Sequence, residues 1–446
     1  MFRKYSVLRL ALCACGVVLA SLAAHAGQIT IVTTFPKELT AAYKAAFEKQ
    51  YPDTKVEILN KGTSALIAYV RETSAGQRPD IAWASAPDAF EVLAREKLLV
   101  PTPDLDNPDI PAKIGNYPVN DPEGMYKGQA FAGYGIMWNT RYVKAHKLPK
   151  ATEWADLTKG DYFGHVAMSS PSRSGTTHLT VETILQGEGW DKGWSQLLQI
   201  AGNCAAITER SFGVPDGVNN GQFGYGLVID FFGLAGRYSG FPVEFVYPKV
   251  TAVVPASIGL VAGGKNAADA KKFIKYTLSL EGQELLFDPK ISRLPVLPQA
   301  YTTGKVPPDF PNLFNVARKT KVQFDSNLSS ARYNIVSGMF DQTITFRLKE
   351  LQAATKAIHD AEKKLAEKPN ARAAKLVEEA RALAYQPVID GKMAAHKDFL
   401  ALFMKSKKDV EVGKQISAAE EQWNSLARKN YEKAQQLAQD ALRLAK

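Results

Sequence analysis

The sequence predicts an α/β chain of two lobes joined by hinge crossovers, followed by a C-terminal helical extension. Strand-like and helix-like segments alternate from Gln28 to about Ser279. Polar loops fall at the carboxyl ends of several of those strands. After Gly338 the composition changes, and glycines and aromatics give way to Ala, Lys, Glu and Leu. Strands alternating with helices form a largely parallel sheet covered on both faces. Ligands of such sheets sit beyond the carboxyl ends of the strands.

The chain opens on a leader. Arg3, Lys4 and Arg9 flank an apolar run over residues 10–24, and Ala24-His25-Ala26 gives a small-x-small cleavage pattern. A spanning helix needs about 20 apolar residues, so residues 1–26 read as a removable secretory signal. Leu12-Cys13-Ala14-Cys15-Gly16 fits a lipoprotein box only in part. Of three cysteines, Cys204 alone lies beyond the leader, so no internal disulfide is expected. The formal charge of +10 falls to about +7 without the three basic leader residues. That balance suits an anionic ligand or solubility alone, and an exported chain has no nucleic acid as partner.

Residues 28–34 alternate as a strand, 38–49 as an amphipathic helix and 54–59 as a second strand. Gly62-Thr63-Ser64 leads into a helix over 65–73, and a short strand over 79–84 ends at Ser85. Thr34, Ser64 and Ser85 therefore stand on loops at strand ends. Residues 133–139 read as a crossing strand. Beyond them the pattern restarts: a helix from Thr152, a strand over 165–168, the polar loop 169–177 and a helix over 179–186. A strand over 206–208 ends at Glu209-Arg210-Ser211, and one over 226–229 ends at Asp230. An extended segment over 245–255, a strand over 258–261 and a helix over 267–279 close the unit. The expected organisation is residues 27–136 plus 256–338 as lobe one, 137–255 as lobe two and 339–446 as the extension. The crossings lie near 133–139 and 247–255.

In the extension, Ile344, Leu348, Leu351, Ile358 and Leu365 recur at 3-4 spacing, with Thr355 and Glu362 filling the seam. Ile416, Trp423, Leu426, Leu437 and Leu444 repeat the pattern, while Pro369-Asn370 and Pro387 separate the helices. An antiparallel bundle packed on itself or on the lobes is expected, and a coiled-coil-like module for a partner is the alternative.

Catalytic signatures are missing: no H-E-x-x-H, no C-x-x-C, and Gly62-Thr63-Ser64-Ala65-Leu66 lacks the second glycine of a serine elbow. Residues 259–266, G-L-V-A-G-G-K-N, approach a phosphate loop, but Asn266 replaces the magnesium-holding hydroxyl, and a plain turn is expected. His146, His165, His178, His359 and His396 lack metal-ligand spacing; His178 stands out only because it follows the Ser174 loop. No enzyme activity, metal or cofactor is expected. The strongest chemical signal is the loop 172–177, which joins hydroxyls, a glycine and the N–H groups that open a helix, a combination that binds anions. Ser174, Gly175, Thr176 and Thr177 would face Thr34, Ser64 and Ser85 across a cleft. Arg210 would pair the charge, and Glu209 or Asp230 would read ligand hydroxyls. Each loop alone reads first as a helix cap; two facing one cleft, with Arg173 and Arg210 nearby, make a site as good a reading as a cap.

Several ordered segments carry a resemblance: Gly62-Thr63-Ser64, Pro79-Asp80-Ile81-Ala82-Trp83-Ala84-Ser85, Gly135-Ile136-Met137-Trp138-Asn139, Trp154-Ala155-Asp156-Leu157, Ser174-Gly175-Thr176 and Ser279-Leu280-Glu281-Gly282-Gln283-Glu284. Over residues 28–298 the chain resembles the extracytoplasmic solute-binding proteins of ABC transporters, in the ferric-iron and sugar-phosphate branch. The resemblance implies a two-lobed periplasmic binding protein of type 2, a small ligand held between the lobes, and a membrane permease as partner. Iron binders of the branch carry adjacent tyrosines where this chain has Phe231-Phe232. Phenyl rings do not ligate iron, which leaves ferric iron binding as the alternative. Residues 209–232 and the long tail most resemble members that take a phosphorylated metabolite such as phosphoglycerate and signal to a membrane sensor histidine kinase.

Overall fold

The computed structural model describes residues 27–115, 117–405 and 409–445; the leader lies outside them. The strands are β1 (Gly27–Thr33), β2 (Thr54–Asn60), β3 (Ile81–Ala84), β4 (Leu99–Val100), β5 (Lys113–Ile114), β6 (Tyr117–Pro118), β7 (Lys127–Asn139), β8 (Val166–Ser169), β9 (Cys204–Thr208), β10 (Tyr225–Ile229), β11 (Val243–Val246), β12 (Val253–Val261) and β13 (Leu294–Pro295). They are ordered β2-β1-β3-β12-β7-β10-β8-β9. The alternating residues of β1 explain its central place. Ile29 and Ile31 are fully buried, and β1 pairs in parallel with both β2 and β3.

One strand belongs to both lobes. All 13 residues of β7 are buried. Its first part pairs with β12, up to Gly133 opposite Val253; its second part pairs with β10, starting from Tyr134 opposite Ile229. The first crossing is thus the peptide between Gly133 and Tyr134. Thr251, on the second crossing, donates its hydroxyl to the Tyr134 carbonyl at 2.7 Å.

Two sequence expectations shift. The extended segment over 245–255 and the strand over 258–261 are instead β11 and a single continuous β12. Pro255 sits inside β12, and a register shift at Ala256/Ser257 absorbs it. Helices Trp190–Gly202, Gly213–Asn219 and Asp230–Tyr238 also went unforeseen; internal glycines weaken the local helix signal in all three. Residues 262–266 form a turn, with Asn266 N–H donating to Asp80 Oδ1 at 2.7 Å.

The extension shares its core with lobe two. Helices Leu348–Glu367, Ala371–Tyr385 and Val410–Leu444 pack on one another, and the first two pack on the lobe-two helix Trp190–Gly202. Leu197 and Leu198 join Leu351, Ile358, Ala380 and Trp423 in one apolar cluster. On the long last helix the inward face is Ile416, Trp423, Ala427, Tyr431, Ala434, Leu437 and Ala441, so Leu426 and Leu444 point to solvent. Small alanines on that face let the helices approach closely.

Candidate ligand-binding site

A nearly closed cleft, with about 20 Å³ of free volume, lies between the lobes, at the carboxyl ends of β1, β3, β8 and β9. Thr34, Thr63, Ser85 and Ala86 line it from lobe one; Ser174, Gly175, Thr176, Arg210 and Phe212 are among its lobe-two walls. Two helices open onto it, Thr63–Glu72 and Gly175–Glu188. Ser174 caps the second, its Oγ accepting the Thr177 N–H at 3.2 Å. The lobes touch here: the Gly175 N–H donates to Thr63 Oγ1 at 3.1 Å. A Cβ at position 175 would come within 2.6 Å of Thr63 Oγ1 and 2.8 Å of Ala86 Cβ, so only glycine allows this closure.

Among the residues expected from sequence, Thr34, Ser85, Ser174, Gly175, Thr176 and Arg210 come together on the cleft wall. The other four lie elsewhere. Ser64 is exposed outside the cleft, its hydroxyl 3.3 Å from the Ser172 carbonyl and 3.4 Å from Tyr333 Oη; its neighbour Thr63 takes the inward place. Thr177 turns into the helix cap. Glu209 is exposed to solvent, 3.9 Å from Arg173. Asp230 is buried at the hinge, where its carboxylate accepts from the Gly133 N–H at 2.7 Å and the Tyr247 hydroxyl at 3.0 Å. Asp230 thereby ties both crossings together. Burial outweighs those bonds and pushes its pKa up to about 7.

Arg293, which sequence reasoning missed, stands behind the cleft floor. Its guanidinium is fully buried between the rings of Phe35 (4.2 Å) and Phe231 (3.9 Å). Nη2 donates to the cleft residue Ser85 at 2.9 Å, while Nε and Nη1 have no partner among the described residues. Burial pulls its pKa down to about 9, against the opposing pull of Asp230. A buried cation with unused donors is costly, and such groups call for a functional account. The available signal was a lone charge inside the apolar run 291–297, I-S-R-L-P-V-L.

Arg210 lies 4.9 Å over the Phe212 ring and makes no ion pair among the described residues. Phe231 and Phe232 pack at 4.2 Å and give one wall an apolar face. Among the described residues, the cleft wall carries no carboxylate, phenol or imidazole. A larger open groove lies elsewhere, along Glu91, Asp121, Glu123 and Asp325; its acidic lining repels anions.

Residues 77–312 match the bacterial extracellular solute-binding protein family. The chain is also 30% identical to the phosphoglycerate transport regulatory protein PgtC of Salmonella typhimurium, over 85% of this chain and 90% of that one. The chain belongs to the bacterial extracellular solute-binding proteins. It is therefore a binding protein rather than an enzyme, of a family that works outside the cytoplasmic membrane. Its fold is that of periplasmic binding proteins. The fructose-6-phosphate-bound AfuA of Actinobacillus pleuropneumoniae superimposes with a TM-score of 0.64 at 19% identity, covering 72% of this chain and 99% of that one. Iron-bound HitA of Pseudomonas aeruginosa gives 0.56 at 16% identity, covering 70% and 99%.

Proposed function

We propose that this solute-binding protein captures a small phosphorylated or carboxylated metabolite between its lobes, in the periplasm, after removal of the leader 1–26. The observation that carries this reading is Arg293: a buried guanidinium with two unused donors, hydrogen-bonded to a residue of the cleft wall. Two helix N-termini and Arg210 add positive potential from the same cleft. The phosphorylated-ligand names of PgtC and of the AfuA complex point the same way. A ferric ion ligated by the protein fits poorly, because the wall offers no oxygen-anion or imidazole ligand.

The membrane partner is read as the permease of an ABC transporter. The tail and the regulatory name of PgtC favour a sensor histidine kinase as a second reading. Titration calorimetry with 3-phosphoglycerate, phosphoenolpyruvate, glucose 6-phosphate and ferric citrate tests the ligand class. Binding of at least one phosphate ester is expected; binding of ferric citrate alone would overturn the proposal.

A further inference from the structure

Two helices leave the cleft, one from each lobe. Pro87–Arg95 begins two residues after Ser85, and Gly175–Glu188 begins on the cleft wall itself. Each carries a polar row on one face. On the first, Asp88, Glu91 and Arg95 are spaced by three and four; on the second, His178, Glu182 and Gln186 are spaced by four. The short helix Ser326–Ala331 and its flanks fill the space between these rows.

Every one of those six side chains meets this segment. From lobe one, Glu91 Oε1 accepts from Ser326 Oγ at 3.2 Å, Asp88 Oδ2 accepts from Ser329 Oγ at 3.2 Å, and Arg95 Nη2 donates to Ser330 Oγ at 3.1 Å. From lobe two, His178 Nε2 lies 3.1 Å from the same Ser329 Oγ, and Glu182 takes Arg332 in a bidentate pair at 2.7 Å and 2.7 Å. Gln186 exchanges two bonds with the Asp325 backbone, at 2.8 Å and 3.1 Å. Asp88, His178, Glu182, Ser329 and Arg332 are all buried. The next helix, Tyr333–Thr343, runs into the extension; its first residue packs its ring, tilted, 4.2 Å from the His178 ring and reaches the Ser64 hydroxyl.

One hydroxyl bridges the two lobes. Ser329 can hold Asp88 and His178 together only while the lobes are closed, because those two side chains then lie 3.4 Å apart. The segment is therefore a third crossing between the lobes, and it leads directly into the tail.

We propose that residues 325–333 form a closure latch that couples the ligand cleft to the helical extension. Closure docks the segment on both rows. Opening breaks the lobe-one contacts of Ser326, Ser329 and Ser330, while the buried Glu182–Arg332 pair keeps the segment on lobe two. The root of the extension thus changes surroundings with the state of the cleft. The latch rests on reading the cleft as a ligand site that closes, but its first test needs no ligand. Spin labels on the chain without its leader, at Lys49→Cys and Lys192→Cys, exposed positions on lobes one and two, report the lobe separation; Cys204 is buried and its thiol is pushed up by burial, away from labelling.

A short, narrow distance is expected in the otherwise unchanged chain. With Ser329→Ala, and separately Arg95→Ala, a longer distance should appear at its expense. Unchanged distributions in both variants, with thermal melts showing them folded, would overturn the latch. A second arm measures hydrogen exchange of amides 326–331 with whichever phosphate ester binds by calorimetry. Slower exchange is expected on binding; unchanged exchange in a protein that binds would overturn the coupling and leave the ligand assignment intact.

Discussion

Arg293 and Arg332 are both buried, yet the structure treats them in opposite ways. Arg332 spends its guanidinium on Glu182 in a fork of two short bonds and lies over the Trp190 ring. Arg293 has aromatic rings on both faces but one hydrogen bond, and two of its nitrogens go unused. A buried pair that is fully satisfied contributes to architecture; a buried cation with spare donors costs stability that something outside the fold must offset. The same residue type thus makes a structural joint in one place and, in the function proposed above, a charge kept for a ligand in the other.

The largest expected effect breaks the satisfied member. Glu182→Ala leaves Arg332 buried without its partner and should lower folding stability by about 3–5 kcal/mol, read as a shift in urea midpoint at constant slope. A change below about 1 kcal/mol would mean the pair is hydrated and the comparison fails. Next comes closure around the other member. Gly175→Ala puts a Cβ 2.6 Å from Thr63 Oγ1 and should weaken the best phosphate ester by about 1–3 kcal/mol, the usual cost of overpacking. Calorimetry at unchanged melting temperature checks it.

The hinge carboxylate supplies a pH signature. Burial raises Asp88 and Asp230 to about 7 and lowers His178 to about 4. A raised carboxyl gives stability that is present below its unfolded pKa of about 4 and lost as pH rises through the folded value; a depressed imidazole has the opposite sign between about 4 and 6.5. His178 and one Asp cancel there, so folding takes up a net proton, and stability should fall by about 1.4 kcal/mol per pH unit from about pH 5 to 6.5. Denaturant midpoints across that range test it, and Asp230→Asn should flatten the slope even as it lowers stability. The smallest effect is Arg210→Ala. Half-buried beside Phe212, Arg210 should contribute about 1 kcal/mol to anion affinity, and an unchanged dissociation constant would remove it from the site.

Much of the frame was legible. Period-two alternation announced β1, and the return of the β/α pattern after 139 announced a second lobe. The Ser174 loop was readable because a cap, a glycine and a helix start leave a local trace. Arg293 was not, since its meaning lies in the bonds it fails to make, which only tertiary packing fixes. Ser64 and Thr63 are adjacent on the first turn of one helix, and residue type cannot say which faces inward. Asp230 looked like a strand-end ligand contact, yet the fold spends it on the two crossings. The latch rows at 88, 91, 95 and at 178, 182, 186 are helical spacings like any other in the sequence, and their common partner lies 139 residues or more away.

In the proposed function Arg293 is held buried for an anion rather than for the fold. Arg293→Met keeps the packing between Phe35 and Phe231 while removing the charge, so one variant measured two ways decides the matter. Affinity for the phosphate ester bound by the unaltered chain should fall by about 30-fold or more, as for lost charge-assisted bonds, while the melting temperature stays equal or rises. Affinity unchanged with stability lowered would contradict it and make Arg293 a structural residue like Arg332.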